Sequence, residues 1–188
     1  MDNRPLIVAI SGASGAILGI ETLRACRDLG VPTHLIVTEA GARTIALETD
    51  SSVEDVRALA TESHANKDIG ATIASGSFRT RGMVCAPCSI KTLSGIAGSY
   101  SHNLTIRAAD VCLKQRLPVV LMVRETPLHP GHLDLMARAA RLGCHIVPPV
   151  PAFYAKPATI DDMVRHTVGR VLDLFGIAHN RIDRWSGT

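Results

Sequence analysis

The sequence predicts an α/β protein of three αβα layers: one doubly wound parallel sheet with helices on both faces, in a single domain. Three observations lead there. Short unbroken apolar runs recur along the chain, rich in β-branched residues, as in strands buried on both faces of a parallel sheet. A helical pattern follows most of them, so strand and helix alternate. The connections are mostly short and marked by Gly, Pro and small polar residues.

The first such unit is residues 5–19, PLIVAISGASGAILG. Leu6 to Ile10 is the strand. Ser11-Gly12-Ala13-Ser14-Gly15-Ala16 is a tight turn of small residues, and Ile17, Ile20 and Leu23 then step by three along one helix face. A mononucleotide site begins this way: free N–H groups at a helix N-terminus bind phosphate, and small side chains let it approach the backbone. Gly12-x-x-Gly15-x-x-x-Gly19 is wider than the dinucleotide G-x-G-x-x-G, and two hydroxyls, Ser11 and Ser14, stand among the glycines. A Gly-rich strand-to-helix turn also occurs in α/β proteins that hold no nucleotide, so this stretch alone leaves both readings open.

Composition narrows the classes. A chain of 188 residues with 46% hydrophobic content buries a sizeable core and is not a disordered segment. A net charge of +3 and six aromatics (one Trp, two Tyr, three Phe) argue against nucleic acid and against base-stacking platforms. No apolar run reaches transmembrane length, and no secretory leader is expected. Five cysteines without such a leader predict reduced thiols and a cytoplasmic address.

The remaining elements follow in order. A turn at 30–32 leads to a second strand over 33–38, whose last residue, Thr38, falls at the edge where open α/β sheets bind ligands. A helix spans 39–48. Residues 53–60 suggest a short helix, and the polar stretch from there to residue 80, with His64, Asn66 and Lys67, reads as a mobile loop. The third strand, 82–87, ends in Cys88-Ser89-Ile90-Lys91-Thr92, a second strand-to-helix turn whose hydroxyls and lysine suit an anion. Cys85-x-x-Cys88 has redox spacing, but Cys85 stands inside an apolar strand and no second pair follows for zinc. A helix over 104–116 carries Arg107 and Lys114 on one face, with Asp110 between them; a solvated charged face is the plainer reading. The fourth strand, 118–123, runs directly into Arg124-Glu125. His129-Pro-Gly-His132 falls in a turn and does not read as a metal pair, and a helix over 133–142 follows. A short fifth strand at 145–147 precedes a proline-marked loop carrying Tyr154. The last helix runs from 159 to about 176 and bears Arg170. Residues 1–177 form the domain, and 178–188 a mostly polar tail with the single tryptophan, Trp185, of the kind that packs on a neighbouring subunit.

In a parallel sheet the strand C-termini share one edge. Residues 11–16, Thr38, residues 89–92, Arg124 and Tyr154 therefore converge on one cleft, rich in donors, hydroxyls and cations and poor in carboxylates.

Taken together, SGASGA at 11–16, ETD at 48–50, PCSIKTLSGIA at 87–97, NLTIRAADVCLK at 103–114, RETPLHPGHL at 124–133 and PAFY at 151–154 resemble the UbiX-like flavin prenyltransferases, over roughly residues 6–185. The resemblance implies a flavodoxin-like, Rossmann-like fold and a reaction. A dimethylallyl group from dimethylallyl phosphate joins reduced FMN, forming a fourth ring across flavin N5 and C6. The product, prenylated FMN, serves UbiD-like decarboxylases. It further implies a homo-oligomer, a dodecamer built from trimers, and no metal. Residue by residue, it places FMN on Gly12, Ala13, Ser14, Thr38, Ser89, Ile90, Lys91, Thr92 and Arg124. It places dimethylallyl phosphate on Arg107, Lys114, Tyr154 and Arg170, partly across a subunit boundary. Glu48 and Glu125 match acidic positions near the reacting centre, and Trp185 an aromatic near the prenyl pocket. Two departures stand out: Ile90 where Met is common, and His102 where Asp is usual, which removes a carboxylate near the Arg107 helix.

The chemistry agrees with that resemblance. Breaking an allylic C–O bond develops negative charge on phosphate, for Lys114, Arg124 and Arg170 to stabilise, and positive charge on the prenyl group, for Tyr154 and Trp185. Ser14 and Glu48 are candidates to assist proton loss from flavin, with released phosphate as another base. Two other readings remain at this level. One is an FMN-dependent oxidative cysteine decarboxylase, which carries an Asn-containing motif where PCSIKT stands and lacks the basic set. The other is a non-catalytic flavin-binding subunit of a decarboxylase complex.

Overall fold

The structure is a computed structural model and describes residues 2–182; Trp185 lies outside the described residues. Six strands form a single sheet: β1 (Leu6–Ile10), β2 (Thr33–Val37), β3 (Glu62–Ala65), β4 (Gly82–Cys88), β5 (Val119–Val123) and β6 (Cys144–Ile146). The spatial order is β3-β2-β1-β4-β5-β6, and every neighbouring pair is parallel. Seven helices are described: α1 (Ala16–Asp28), α2 (Glu39–Glu48), α3 (Val53–Ala58), α4 (Ile90–Ala97), α5 (Leu104–Lys114), α6 (Pro130–Arg141) and α7 (Ile160–Leu174).

Period-two alternation builds the three layers. Leu6, Val8 and Ile10 of β1 join a core with α1 and α7, whereas Ile7 and Ala9 face the opposite core with α4, α5 and α6. Both faces of the strand are buried, so its side chains are apolar without interruption. No helix among the described residues is long and apolar enough to cross a membrane.

The sheet differs from the expected five strands by β3, which falls within the stretch read as a mobile loop. Its sequence, Glu-Ser-His-Ala, has no apolar run because it lies at the sheet edge. Backbone pairing to β2 specifies it, from His34↔Glu62 to Val37↔Ala65. Without β3 the order is that of flavodoxin-like proteins, so β3 is an added edge strand. Smaller corrections follow local chemistry. β4 continues through Pro87 to Cys88, with an irregular register between Cys85 and Cys88. α5 stops at Lys114, because Arg116 has a positive φ of 56°. α6 begins three residues earlier than read, at Pro130: Pro is tolerated in a first helical turn, and the His129 ring caps the helix.

Gly19 belongs to packing rather than to a phosphate turn. A Cβ there would stand 2.3 Å from the Ala86 carbonyl oxygen, so the glycine lets α1 lie directly on β4. After α7 the chain turns back: Ile177 is buried, the His179 Nε2 lies 2.9 Å from the Gly169 carbonyl oxygen, and Arg181 pairs with Glu21.

Candidate active site

The sheet order reverses between β1 and β4. At such a switch point the strand C-termini open a crevice. Ser11 secures it from beneath: it is fully buried, its hydroxyl donates to the Pro87 carbonyl at 2.9 Å and accepts from the Ser89 N–H at 2.8 Å. The two turns identified in the sequence are thereby held against each other.

Above Ser11 lies a cleft of about 220 Å³, lined by Gly12, Thr38, Ser89, Lys91, Thr92 and Asn103 together with Glu39, Ala40, Arg43, Asn66, His102 and Ile106. Three helices begin on it. Thr38 caps α2, accepting from the Gly41 N–H at 3.0 Å. Ser89 caps α4, accepting from the Thr92 N–H at 3.3 Å, and Asn103 caps α5, accepting from the Ile106 N–H at 3.0 Å. Each N-terminus carries partial positive charge, worth about 0.3–1 kcal/mol to a nearby anion, and Lys91 adds a full one. Gly12 has no room for a side chain, since a Cβ there would lie 2.2 Å from that of Ala40.

The α1 N-terminus, expected to meet phosphate, is already occupied. The Glu48 carboxylate accepts from the Gly15 N–H at 2.8 Å and the Ala16 N–H at 3.1 Å. Burial raises the Glu48 pKa, but the Gly15 N–H, the Ser14 hydroxyl, the Ala16 N–H and the Arg124 charge together outweigh it. The carboxyl is held below its usual range. Glu48, Ser14 and Arg124, three predicted site residues, therefore interact across the first turn.

The other predicted residues are distributed as follows. Gly12, Thr38, Ser89, Lys91 and Thr92 line the cleft. Ala13 and Ile90 are immediate chain neighbours of lining residues. Arg124 follows β5, its N–H donating to the Cys88 carbonyl at 3.1 Å, and Glu125 accepts from the Thr126 N–H at 3.1 Å. The described residues of the substrate set are spread over separate elements, Arg107 and Lys114 on α5, Tyr154 in the loop before α7 and Arg170 on α7. Arg107 turns to Asp110 at 3.0 Å and to the Ala74 carbonyl at 3.2 Å. Lys114 ends α5, roughly 15 Å along the axis from the cleft at 1.5 Å per residue. Arg170 pairs with Asp173 on α7 at 3.2 Å, and the Tyr154 hydroxyl lies 3.3 Å from His166 Nε2.

Sequence reasoning missed Arg43, Asn66 and Asn103 as cleft residues. Asn103 had a signal, an Asn directly before an apolar helical run. Asn66 had none, because it follows the unrecognised β3; its Oδ1 accepts from both the Thr105 hydroxyl at 2.7 Å and the Thr105 N–H at 3.1 Å. His102 also lines the cleft, stacked on Tyr100 with ring centroids 5.2 Å apart. The wall there presents an imidazole in place of a carboxylate. All five cysteines are unpaired and buried, and burial pushes Cys26 and Cys112 up to about 12 and Cys144 to about 11. Thiols so held are not nucleophiles at neutral pH.

A doubly wound sheet with a donor-rich cleft at its switch point is the arrangement of flavin- and mononucleotide-binding α/β proteins. The flavoprotein family model matches residues 1–172. Flavin prenyltransferase UbiX of Escherichia coli (strain K12) is 56% identical over 97% of this chain and 98% of its own length. The crystal structure of AnUbiX (PadA1) in complex with FMN and dimethylallyl pyrophosphate superposes with a TM-score of 0.97 at 46% identity, covering 100% of both chains. That of a dodecameric FMN-dependent UbiX-like decarboxylase from Escherichia coli O157:H7 gives 0.95 at 50% identity, covering 98% of this chain and 100% of the other. The chain belongs to the UbiX-like flavin prenyltransferases.

Proposed function

We propose that this flavin prenyltransferase transfers a dimethylallyl group from a dimethylallyl phosphate to reduced FMN, with the flavin phosphate seated at the capped N-termini of α2 and α4. The observation that carries the reading is the convergence of Thr38, Ser89 and Asn103, each capping a helix, with Lys91 on one cleft. Hydroxyls, backbone donors and one lysine suit a phosphate monoester. FMN, when reduced and bound, supplies the electron-rich ring atoms that take the prenyl group.

The chain's own residues do the rest. Gly12, Ala13 and Ser14 face the flavin from the first turn, and Arg124 holds charge over it. As the allylic C–O bond breaks, the phosphate leaves with the electron pair. Arg107, Lys114 and Arg170 stabilise it electrostatically, while Tyr154 and Trp185 present aromatic faces to the prenyl cation. Glu48, kept ionised by Ser14 and the α1 N-terminus, orients Ser14 for proton removal; Glu125 takes the second acidic position.

Because Lys114 and the cleft lie at opposite ends of α5, and Arg170 is on α7, we assign Lys114 and Arg170 to the clefts of neighbouring copies and leave Arg107, beside the cleft-lining Ile106, with its own chain, in a homo-oligomer of dodecameric order. The segment entering α7 supports this: Val150, Phe153 and Ile160 are 71%, 72% and 77% exposed, an apolar surface suited to a subunit contact. Residues 1–177 are assigned to the flavin-binding unit and 178–188 to a tail that contributes Trp185. A UbiD-like decarboxylase is the proposed recipient of the product, and five unpaired cysteines favour a cytoplasmic site of action.

The test is anaerobic incubation of the protein with reduced FMN and dimethylallyl phosphate, followed by mass spectrometry of the released flavin. Prenylated FMN is expected. Flavin recovered unchanged, from protein that binds FMN, would leave a binding subunit; oxidative decarboxylation of a C-terminal cysteine peptide would point to the decarboxylase reading.

A further inference from the structure

We propose that His34, Glu62 and His64 form a binding site for a borderline divalent transition cation of the Zn²⁺ type, on the edge of the sheet and apart from the prenyl-transfer chemistry. His34 is on β2, and Glu62 and His64 stand at i and i+2 on β3, hence on one face. The parallel register sets His34 directly opposite Glu62. A cross-strand neighbour plus an i, i+2 pair thus directs three ligand-bearing side chains to one point.

Their atoms meet there. His34 Nδ1 lies 2.9 Å from His64 Nε2. The Glu62 carboxylate lies 3.6 Å from His64 Nε2 and 3.7 Å from His34 Nε2. All three offer a ligand atom within 4.8 Å of one another, and no other such trio occurs among the described residues. Both imidazoles are packed, with side chains only 9% and 7% exposed, and the Phe78 ring, 5.0 Å from that of His34, forms an apolar wall. Glu62 is half-exposed and leaves a solvent route for an ion and a water ligand.

The two imidazole nitrogens stand at hydrogen-bond distance, 2.9 Å apart. A tetrahedral ion with Zn–N bonds of about 2.0–2.1 Å sets two ligand nitrogens about 3.3 Å apart. Seating an ion on both nitrogens therefore requires the rings to part by only a few tenths of an ångström. Two imidazoles and one carboxylate favour Zn²⁺, Co²⁺, Ni²⁺ or Cu²⁺ over Mg²⁺ or Ca²⁺, which take oxygen shells. Such an ion would tie the four-residue edge strand β3 to β2, whose following residues, Asn66 and Thr38, line the cleft.

The test uses the full chain, freed of metal by chelator. Calorimetric titration with Zn²⁺ is expected to saturate at one ion per chain. A hundredfold excess over Kd is expected to raise Tm by roughly 5–10 °C. Glu62→Gln, at a half-exposed position, keeps the fold and weakens binding at least about tenfold. Co²⁺ is expected to give visible d–d bands of a four-coordinate nitrogen/oxygen site without thiolate charge transfer. Should His64→Gln fail to fold, the Co²⁺ spectrum of the unaltered chain still reports the ligands. Absence of saturable binding, binding unchanged by Glu62→Gln, a thiolate spectrum, or loss of binding in His132→Gln (the other histidine pair) would overturn the site.

Discussion

Glu48 makes contacts that its place in the sequence does not suggest. It closes the α1 N-terminus that a bound phosphate would otherwise occupy, and in doing so it fixes Ser14 and feels Arg124. Glu48→Gln keeps the shape and removes the charge. The rate of prenyl transfer is expected to fall by about a hundredfold or more, in line with the loss of a group that organises proton transfer, with FMN affinity little changed. Single-turnover kinetics beside a fluorescence titration of FMN separate the two effects. A pH test is independent. A depressed carboxyl stabilises the fold above its ordinary pKa near 4.5, and that stabilisation disappears as pH falls through the lower folded value. The stability difference between the native chain and Glu48→Gln is therefore expected at pH 6–7 and should vanish in strong acid; a difference that grows toward acid would contradict the assignment.

At the scale of elements, α4 and α5 divide the labour. Their N-termini, capped by Ser89 and Asn103, face the cleft, and the far end of α5 delivers Lys114 elsewhere. The proposed function therefore requires two separable anion sites. Lys114→Ala and Arg170→Ala are expected to leave FMN binding intact and to weaken the donor by about ten- to a hundredfold, the worth of a charge-assisted contact of roughly 1.5–3 kcal/mol. Ser89→Ala or Lys91→Ala is expected to weaken FMN instead. Exposed helix charges with no ligand contribute only about 0–1 kcal/mol, so unchanged donor dependence in both variants would take Lys114 and Arg170 out of the site. The Arg107–Asp110 pair shows why the sequence alone leaves this open: i, i+3 spacing gives the same ion pair whether or not a ligand displaces it.

At the scale of the whole molecule, the proposed prenyl phosphate site draws on more than one copy of the chain. The exposed Phe153, in the apolar segment before α7, is the natural place to break the proposed assembly. Phe153→Asp is expected to shift the protein to smaller species in light scattering and to abolish prenylation while FMN still binds. A dispersed species with full activity would place every donor contact within a single chain, against the 15 Å or so that separate Lys114 from the cleft.

Much of the fold was legible because its cause is local. A buried parallel strand has to be apolar on both faces, so β1, β2, β4 and β5 announce themselves, and Thr38 and Ser89 mark the ends where helices begin. The motifs around those ends were enough to indicate the family. The tertiary structure decided what depends on neighbours. β3 is a strand because β2 offers it an edge, not because Glu-Ser-His-Ala favours one. Asn66 enters the cleft only by that pairing, and Gly19 is small because the β4 backbone touches it. Glu48 reaches the α1 N-terminus across 33 residues of sequence, a contact that no spacing rule encodes. Hydrophobic periodicity is written along the chain. The partners of a carboxylate, a glycine or an edge strand are set only when distant segments are brought into contact.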